Sequence, residues 1–112
     1  MEKTFINKCT LRGVISAVTT KKTAAGRTVA NIALMTRHNT YSNYDGHVTS
    51  TEESWHKVAA WEGPGIATFD KLAPGGWIEA TGRYRTREFT RKDGTAGRVQ
   101  ELLAEQLRII TE

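Results

Sequence analysis

Arg83, Arg85 and Arg87 stand at every second position of the stretch GRYRTREFTRKDGTAGRVQE, residues 82–101, and Phe89 and Arg91 continue the series. In an extended strand, side chains alternate between faces, so these five project to one side and Tyr84, Thr86, Glu88 and Thr90 to the other. Aligned guanidiniums repel one another unless an anion or solvent separates them. A chain of phosphates supplies such anions, and an aromatic ring among the cations offers a plane on which an unpaired base can stack. The segment EESWHKVAAW, residues 52–61, repeats the pattern, with Trp55, Lys57, Ala59 and Trp61 on one face and His56, Val58 and Ala60 on the other. Arg27, Arg37, Arg91 and Arg98 are further candidates for phosphate contacts, and Tyr41 for stacking. A plainer reading stays open: a solvated arginine face, with Trp55, Trp61 and Trp77 in the core, where tryptophan is usually largely buried.

Catalysis finds little support. His38, His47 and His56 have no cysteine or carboxylate at recurrent metal-ligand spacing, and HExxH, CxxC, GxSxG, P-loop and GxGxxG motifs are all missing from the sequence. Asp45, His47, Glu52, Glu53 and His56 are the one set from which a metal-dependent nuclease site could be imagined, but loop carboxylates are commonly solvated surface. Neither a metal nor a cofactor is expected.

The 112 residues suffice for one domain, 1–112, with a single modest core. Lys and Arg total 16 against 12 Asp and Glu, a net charge of +4. Six basic residues (Arg83, Arg85, Arg87, Arg91, Lys92, Arg98) against two acidic ones (Glu88, Asp93) crowd residues 83–98, so much of the excess is local, as a polyanion-binding footprint would be. The lone Cys9 allows no intrachain disulfide and suits a reducing compartment. No apolar run approaches the roughly 20 residues needed to span a bilayer, and the opening MEKTFINK lacks a signal-peptide core. A soluble cytoplasmic protein without membrane association is expected.

The elements that would position these residues are mostly strands. FINKCTLRGVIS, residues 5–16, reads as a strand bent at Gly13. The apolar TVANIALMT, residues 28–36, reads as a strand covered on both faces. Residues 37–51 read as a projecting loop or ribbon with a turn at Asp45-Gly46. Residues 52–61 form the third strand. PGIATFDKLA, with Ile66, Phe69 and Leu72 at spacing three, predicts a short helix ended by Pro74-Gly75-Gly76. A fourth strand starts at Trp77 with a bend at Gly82, and KDGTAG turns it into a fifth, RVQELLAEQLRII, for which a helical stripe through Leu103, Leu107 and Ile110 is the competing pattern. Five strands with one short helix between the third and fourth predict an all-β, five-stranded barrel of the OB type. The two glycine bends serve its closure.

NKCTLRG from Asn7, GRTVANIALMT from Gly26, EESWHKVAAW from Glu52, LAPGGWIEATGRYRTREF from Leu72 and KDGTAGRVQELLAE from Lys92 run in order through nearly the whole chain. Together, and above all through Trp55-His56 followed by Gly82-x-x-Arg85-Thr86-Arg87, they resemble the bacterial-type single-stranded DNA-binding proteins. The resemblance implies an OB fold, homotetramers built from paired dimers and sequence-tolerant wrapping of single-stranded DNA during replication, recombination or repair. It places stacking aromatics at Trp55, Trp61 and Phe89, with a further one near Thr40 or Tyr41, and it places His56 at a subunit interface. Members of that family usually continue into a flexible linker with an acidic, hydrophobic tip that recruits protein partners, whereas this sequence stops at LRIITE, so recruitment through a tail is not expected. The tailless, dimeric primosomal replication proteins are the near alternative, and an OB-fold module that docks on a protein is the rival from another class.

Overall fold

The computed structural model of the chain describes residues 3–111; readings that touch Met1, Glu2 or Glu112 lie outside that range. Five strands, β1 (Cys9–Lys22), β2 (Thr28–Tyr41), β3 (Val48–Trp61), β4 (Trp77–Thr90) and β5 (Ala96–Ile110), close into a barrel in the order β1-β2-β3-β5-β4. Neighbours are antiparallel except β3 and β5, which run parallel where Val58 and Ala59 meet Leu102 and Leu103. This is the OB barrel expected from the element order. The last segment is a strand, its helical stripe notwithstanding, because hairpin pairing with β4 runs from Thr90–Ala96 to Trp77–Ile110.

The core is aliphatic. Ile15, Ile32, Leu34, Val58, Ile78, Leu102 and Leu107, with Ala30, Ala60 and Ala80, fill the barrel, and no aromatic ring belongs to the buried cluster. Small and branched side chains alternate there, which lets five curved strands approach one axis. All three tryptophans stand at least partly in solvent, so the core reading of Trp55, Trp61 and Trp77 is wrong.

Both glycine bends are present, for a steric reason. β1 hands over from pairing with β4 (Cys9–Val14) to pairing with β2 (Val14–Lys22), and a methyl on Gly13 at that crossing would collide with the Met35 carbonyl. The register shift itself falls just beyond, between Ile15 and Ala17. At Gly82 a methyl would strike the carbonyl of Leu103, and the β4–β5 register shifts between Thr81 and Gly82.

Three expectations need correction. β1 runs on through the polar TTKK to Lys22, because it pairs with β2 as far as Thr28. Its partner β2 is not covered on both faces: Ala30, Ile32 and Leu34 are buried, but Asn31 is exposed and Ala33 only half-buried. Of the loop or ribbon expected from Arg37 to Thr51, the chain forms the ribbon, a two-stranded arm in which Arg37–Thr40 pair with Ser50–Glu53 around a turn with Gly46 at φ 72°. Finally, the helix shrinks to a single 3-10 turn, Phe69–Lys71, because the Ala67 N–H donates to the Leu107 carbonyl and the Leu107 N–H to the Gly65 carbonyl, drawing Gly65–Ala67 into a bridge with β5. The spacing of three matches the 3-10 period rather than an α-helical one.

On the outer face of β1, β4 and β5, Glu79 sits between Arg12 and Arg108, accepting from Arg12 Nη2 at 2.7 Å and Arg108 Nη2 at 3.0 Å. These bonds, Arg12's first, hold the Glu79 carboxyl below the usual range for glutamate. Exposed pairs of this kind add little stability, but they confirm the registers Arg12–Glu79 and Glu79–Arg108. Among the described residues, no helix is long and apolar enough to cross a membrane.

Candidate nucleic-acid interface

β3 carries Trp55, Lys57, Ala59 and Trp61 along one face, with Trp55 and Lys57 exposed, Ala59 covered and Trp61 half-buried, and six residues of strand separate the two rings by about 20 Å. Trp55 is 63% exposed in the single chain, so it takes no part in the barrel's core. Arg27, just before β2, places its guanidinium 4.5 Å over the Trp61 ring, a cation–π stack at the far end of this face.

Beside Lys57 lies a groove of about 430 Å³ walled by β1, β2, β3, β4 and β5. Its apolar floor includes Ala17, Ala33 and Val58; Lys57, Arg87 and Phe89 stand around it, and Asn31 and Glu101 add polar atoms. None of the ion pairs among the described residues involves Lys57. A neighbouring hollow, lined in part by Trp55, Lys57, Arg98 and Val99, continues the surface. The two share Lys57 and Val99, so the aromatic of β3 and the aromatic of β4 flank one cation.

Phe89 is held in place from two sides. It pairs across the ladder with Gly97, over which its ring lies; a methyl there would come within 2.6 Å of the ring and 2.9 Å of the Arg91 guanidinium. Arg91 reaches 5.4 Å from the ring centroid and donates to the Ala96 carbonyl at 2.6 Å. The hairpin tip is closed by Asp93, whose Oδ1 accepts from Thr95 N–H and Oγ1–H at 3.0 and 2.7 Å. Those bonds hold the Asp93 carboxyl below its ordinary range.

The arginine face is less free than its spacing suggests. Arg85 and Arg87 donate through Nε to one oxygen of Glu101, at 3.2 and 2.8 Å, and that side chain is almost wholly buried beneath them. Arg83 pairs with Glu105 at 3.5 Å and Arg98 with Glu88 at 3.3 Å. Arg37 and Tyr41 lie apart on the β2–β3 arm, Arg37 3.8 Å from Glu53 and Tyr41 57% exposed near the tip. Sequence reasoning missed Glu101. Counting outward from the Lys92-Asp93-Gly94 turn would have set it opposite Arg85, where the ladder has it.

His56 is not part of that groove's wall but lines the neighbouring hollow beside Trp55, Lys57 and Tyr84. Its Nε2 lies 2.9 Å from Thr36 Oγ1 and its Nδ1 3.4 Å from the Tyr84 hydroxyl. Burial, with Cys9 close by, pushes the Tyr84 phenol above its usual range. The carboxylates and histidines once grouped as a nuclease site do not converge: Asp45 and His47 sit at the arm's tip, while Glu53 faces Arg37. Among the described residues, no three His, Cys, Asp or Glu side chains are grouped so as to hold a metal ion.

Comparison with known proteins agrees with the fold. The chain resembles the Plasmodium falciparum SSB solved in complex with ssDNA, with a TM-score of 0.75 and 18% identity over 99% of this chain and 100% of that one. It also resembles a deletion mutant of the single-stranded DNA binding protein from Thermus aquaticus, with a TM-score of 0.72 and 20% identity over 95% of this chain and 51% of that one. At such identities the likeness speaks for the fold. No curated protein sequence matches the chain. The model of the Single-strand binding protein family does match it, over residues 6–110. The chain therefore belongs to the Single-strand binding protein family.

Proposed function

We propose that this protein binds single-stranded DNA without strong sequence preference along the β3 face and the β4–β5 hairpin, serving replication, recombination or repair wherever strands lie unpaired. The observation that carries the reading is the placement of Lys57 between two exposed aromatics, Trp55 and Phe89, at the mouth of a groove whose floor is apolar. Bases stack on the rings while phosphates meet Lys57 and the outward nitrogens of Arg85 and Arg87, with Arg27, Arg91 and Arg98 further out. Trp61 extends the track, and Tyr41 and Arg37 on the arm reach strand that leaves it. Arg83, engaged with Glu105, is an outer contact. Binding of this kind involves no catalytic step and no cofactor.

Lys57→Ala tests the charge half of the reading. Removing one phosphate contact on a single strand should flatten the slope of log K against log salt by about 0.7. Titration of a dT oligonucleotide at several salt concentrations measures it; a slope equal to wild type would place the DNA elsewhere.

The same reading includes a homo-oligomer, most simply a tetramer. In the single chain, Cys9–Gly13 pairs with β4 alone, and Phe5 and Ile6 just before it are almost fully exposed. An open edge flanked by apolar side chains is stabilised by a second copy. His56, bonded to Thr36 and Tyr84 and outside the wall of the main groove, would contribute to that contact. Sedimentation should show a tetramer at micromolar concentration and a shift toward smaller species in His56→Ala; a pure monomer would refute assembly, and unchanged assembly in the variant would refute the histidine's part in it.

A further inference from the structure

We infer that Glu101 fixes how many phosphates the groove can neutralise, acting as a positioning and charge-setting residue beneath Arg85 and Arg87. The inference rests on the binding reading above. Glu101 is 2% exposed, yet it stands in the wall of the groove. One of its oxygens accepts from Arg85 Nε at 3.2 Å and Arg87 Nε at 2.8 Å, and Arg85 Nη2 lies 3.1 Å from the same atom. The two arginine side chains remain 33% and 45% exposed. The carboxylate thus lies under the guanidiniums, and the strand passes over them.

Two consequences follow from this layering. A guanidinium carries five N–H donors in a planar fork; with Nε turned inward to Glu101, the remaining donors of Arg87 face the groove. Glu101 therefore orients the fork for a phosphate. It also subtracts a charge: a carboxylate bonded to two cations and removed from water is not displaced by an incoming phosphate, because leaving the site would strand it unpaired. Two arginines and one buried glutamate present a net single positive charge. Counterion release follows the charge that the strand actually meets, so the trio should count as one phosphate contact, not two.

Salt-slope measurements on charge-compensated variants test this. Glu101→Gln keeps the side chain's shape and exposes the second positive charge, so its slope should steepen by about 0.7, a further 2.6-fold or so loss of affinity between 50 and 200 mM salt. Glu101→Asp retains the charge and should keep the wild-type slope. The double variant Arg87→Gln/Glu101→Gln removes a neutral pair and should also return the wild-type slope; if Glu101 played no electrostatic part, that variant would be flatter by about 0.7. A merely structural glutamate would change melting temperature in these variants without this pattern of slopes. An unchanged slope in Glu101→Gln, or a flattened one in the double variant, overturns the inference while Lys57→Ala still reports on the groove. A wild-type slope in Lys57→Ala instead overturns the reading beneath it.

Discussion

Gly82→Val is expected to destabilise the barrel by about 3 kcal/mol or more, a large share of a small domain's stability. The new side chain would meet the carbonyl of Leu103 and the Cα of Ala104, which are backbone atoms of β5. They cannot retreat without opening the β4–β5 ladder at the point where its register already shifts. Gly97→Ala provides the contrast, since a methyl there meets only the ends of the Phe89 and Arg91 side chains, which can swing aside. Denaturant unfolding of both variants checks the claim. A Gly82→Val protein within 1 kcal/mol of wild type would mean that the crossing is not sterically closed.

The second large effect falls on binding. Trp55→Ala and Phe89→Ala should each cost about 1–3 kcal/mol, or 5- to 150-fold in affinity, for one lost base stack. The double variant should lose about the sum, because the rings stand on different strands and line separate hollows. Salt slopes should stay near wild type, since a ring neutralises no phosphate. Trp55 is mostly exposed, so its removal should leave the melting temperature almost unchanged. A fold-stabilising Trp55 would show the opposite pair of results, with melting lowered and affinity kept.

Much of this architecture could be read from the residues. Strong β-formers, the Asp45-Gly46 and Lys92-Asp93-Gly94 turns and the bends at Gly13 and Gly82 lead to five strands and a barrel. What local pattern could not give was set by distant partners. PGIATFDKLA has helical spacing, but the hydrogen bonds that Leu107 donates to the Gly65 carbonyl and accepts from the Ala67 N–H claim its first half. Polarity left loop and ribbon both open for residues 37–51, and the pairing of β2 with β3 beyond the core decides for the ribbon, because cross-strand pairing does not require burial. The site divides in the same way. Period two placed Arg83, Arg85, Arg87 and Phe89 on one face. The repulsion noticed among the arginines is relieved inside the chain, by Glu101 and Glu105, before any phosphate arrives. Arg27 over Trp61 joins residues far apart in sequence and left no local signal.

The account's central claim, that single-stranded DNA passes over the Trp55 face of β3, is tested most directly by placing one fluorophore at a time. A variant with Trp61→Phe and Trp77→Phe keeps only Trp55, and one with Trp55→Phe and Trp61→Phe keeps only Trp77, which is half exposed at the start of β4. Titrated with a dT oligonucleotide, the first should lose emission saturably as bases stack on the indole, while the second should hold its emission through the same range. Quenching of Trp77 with Trp55 unaffected would contradict the account and move the DNA to the surface around the start of β4.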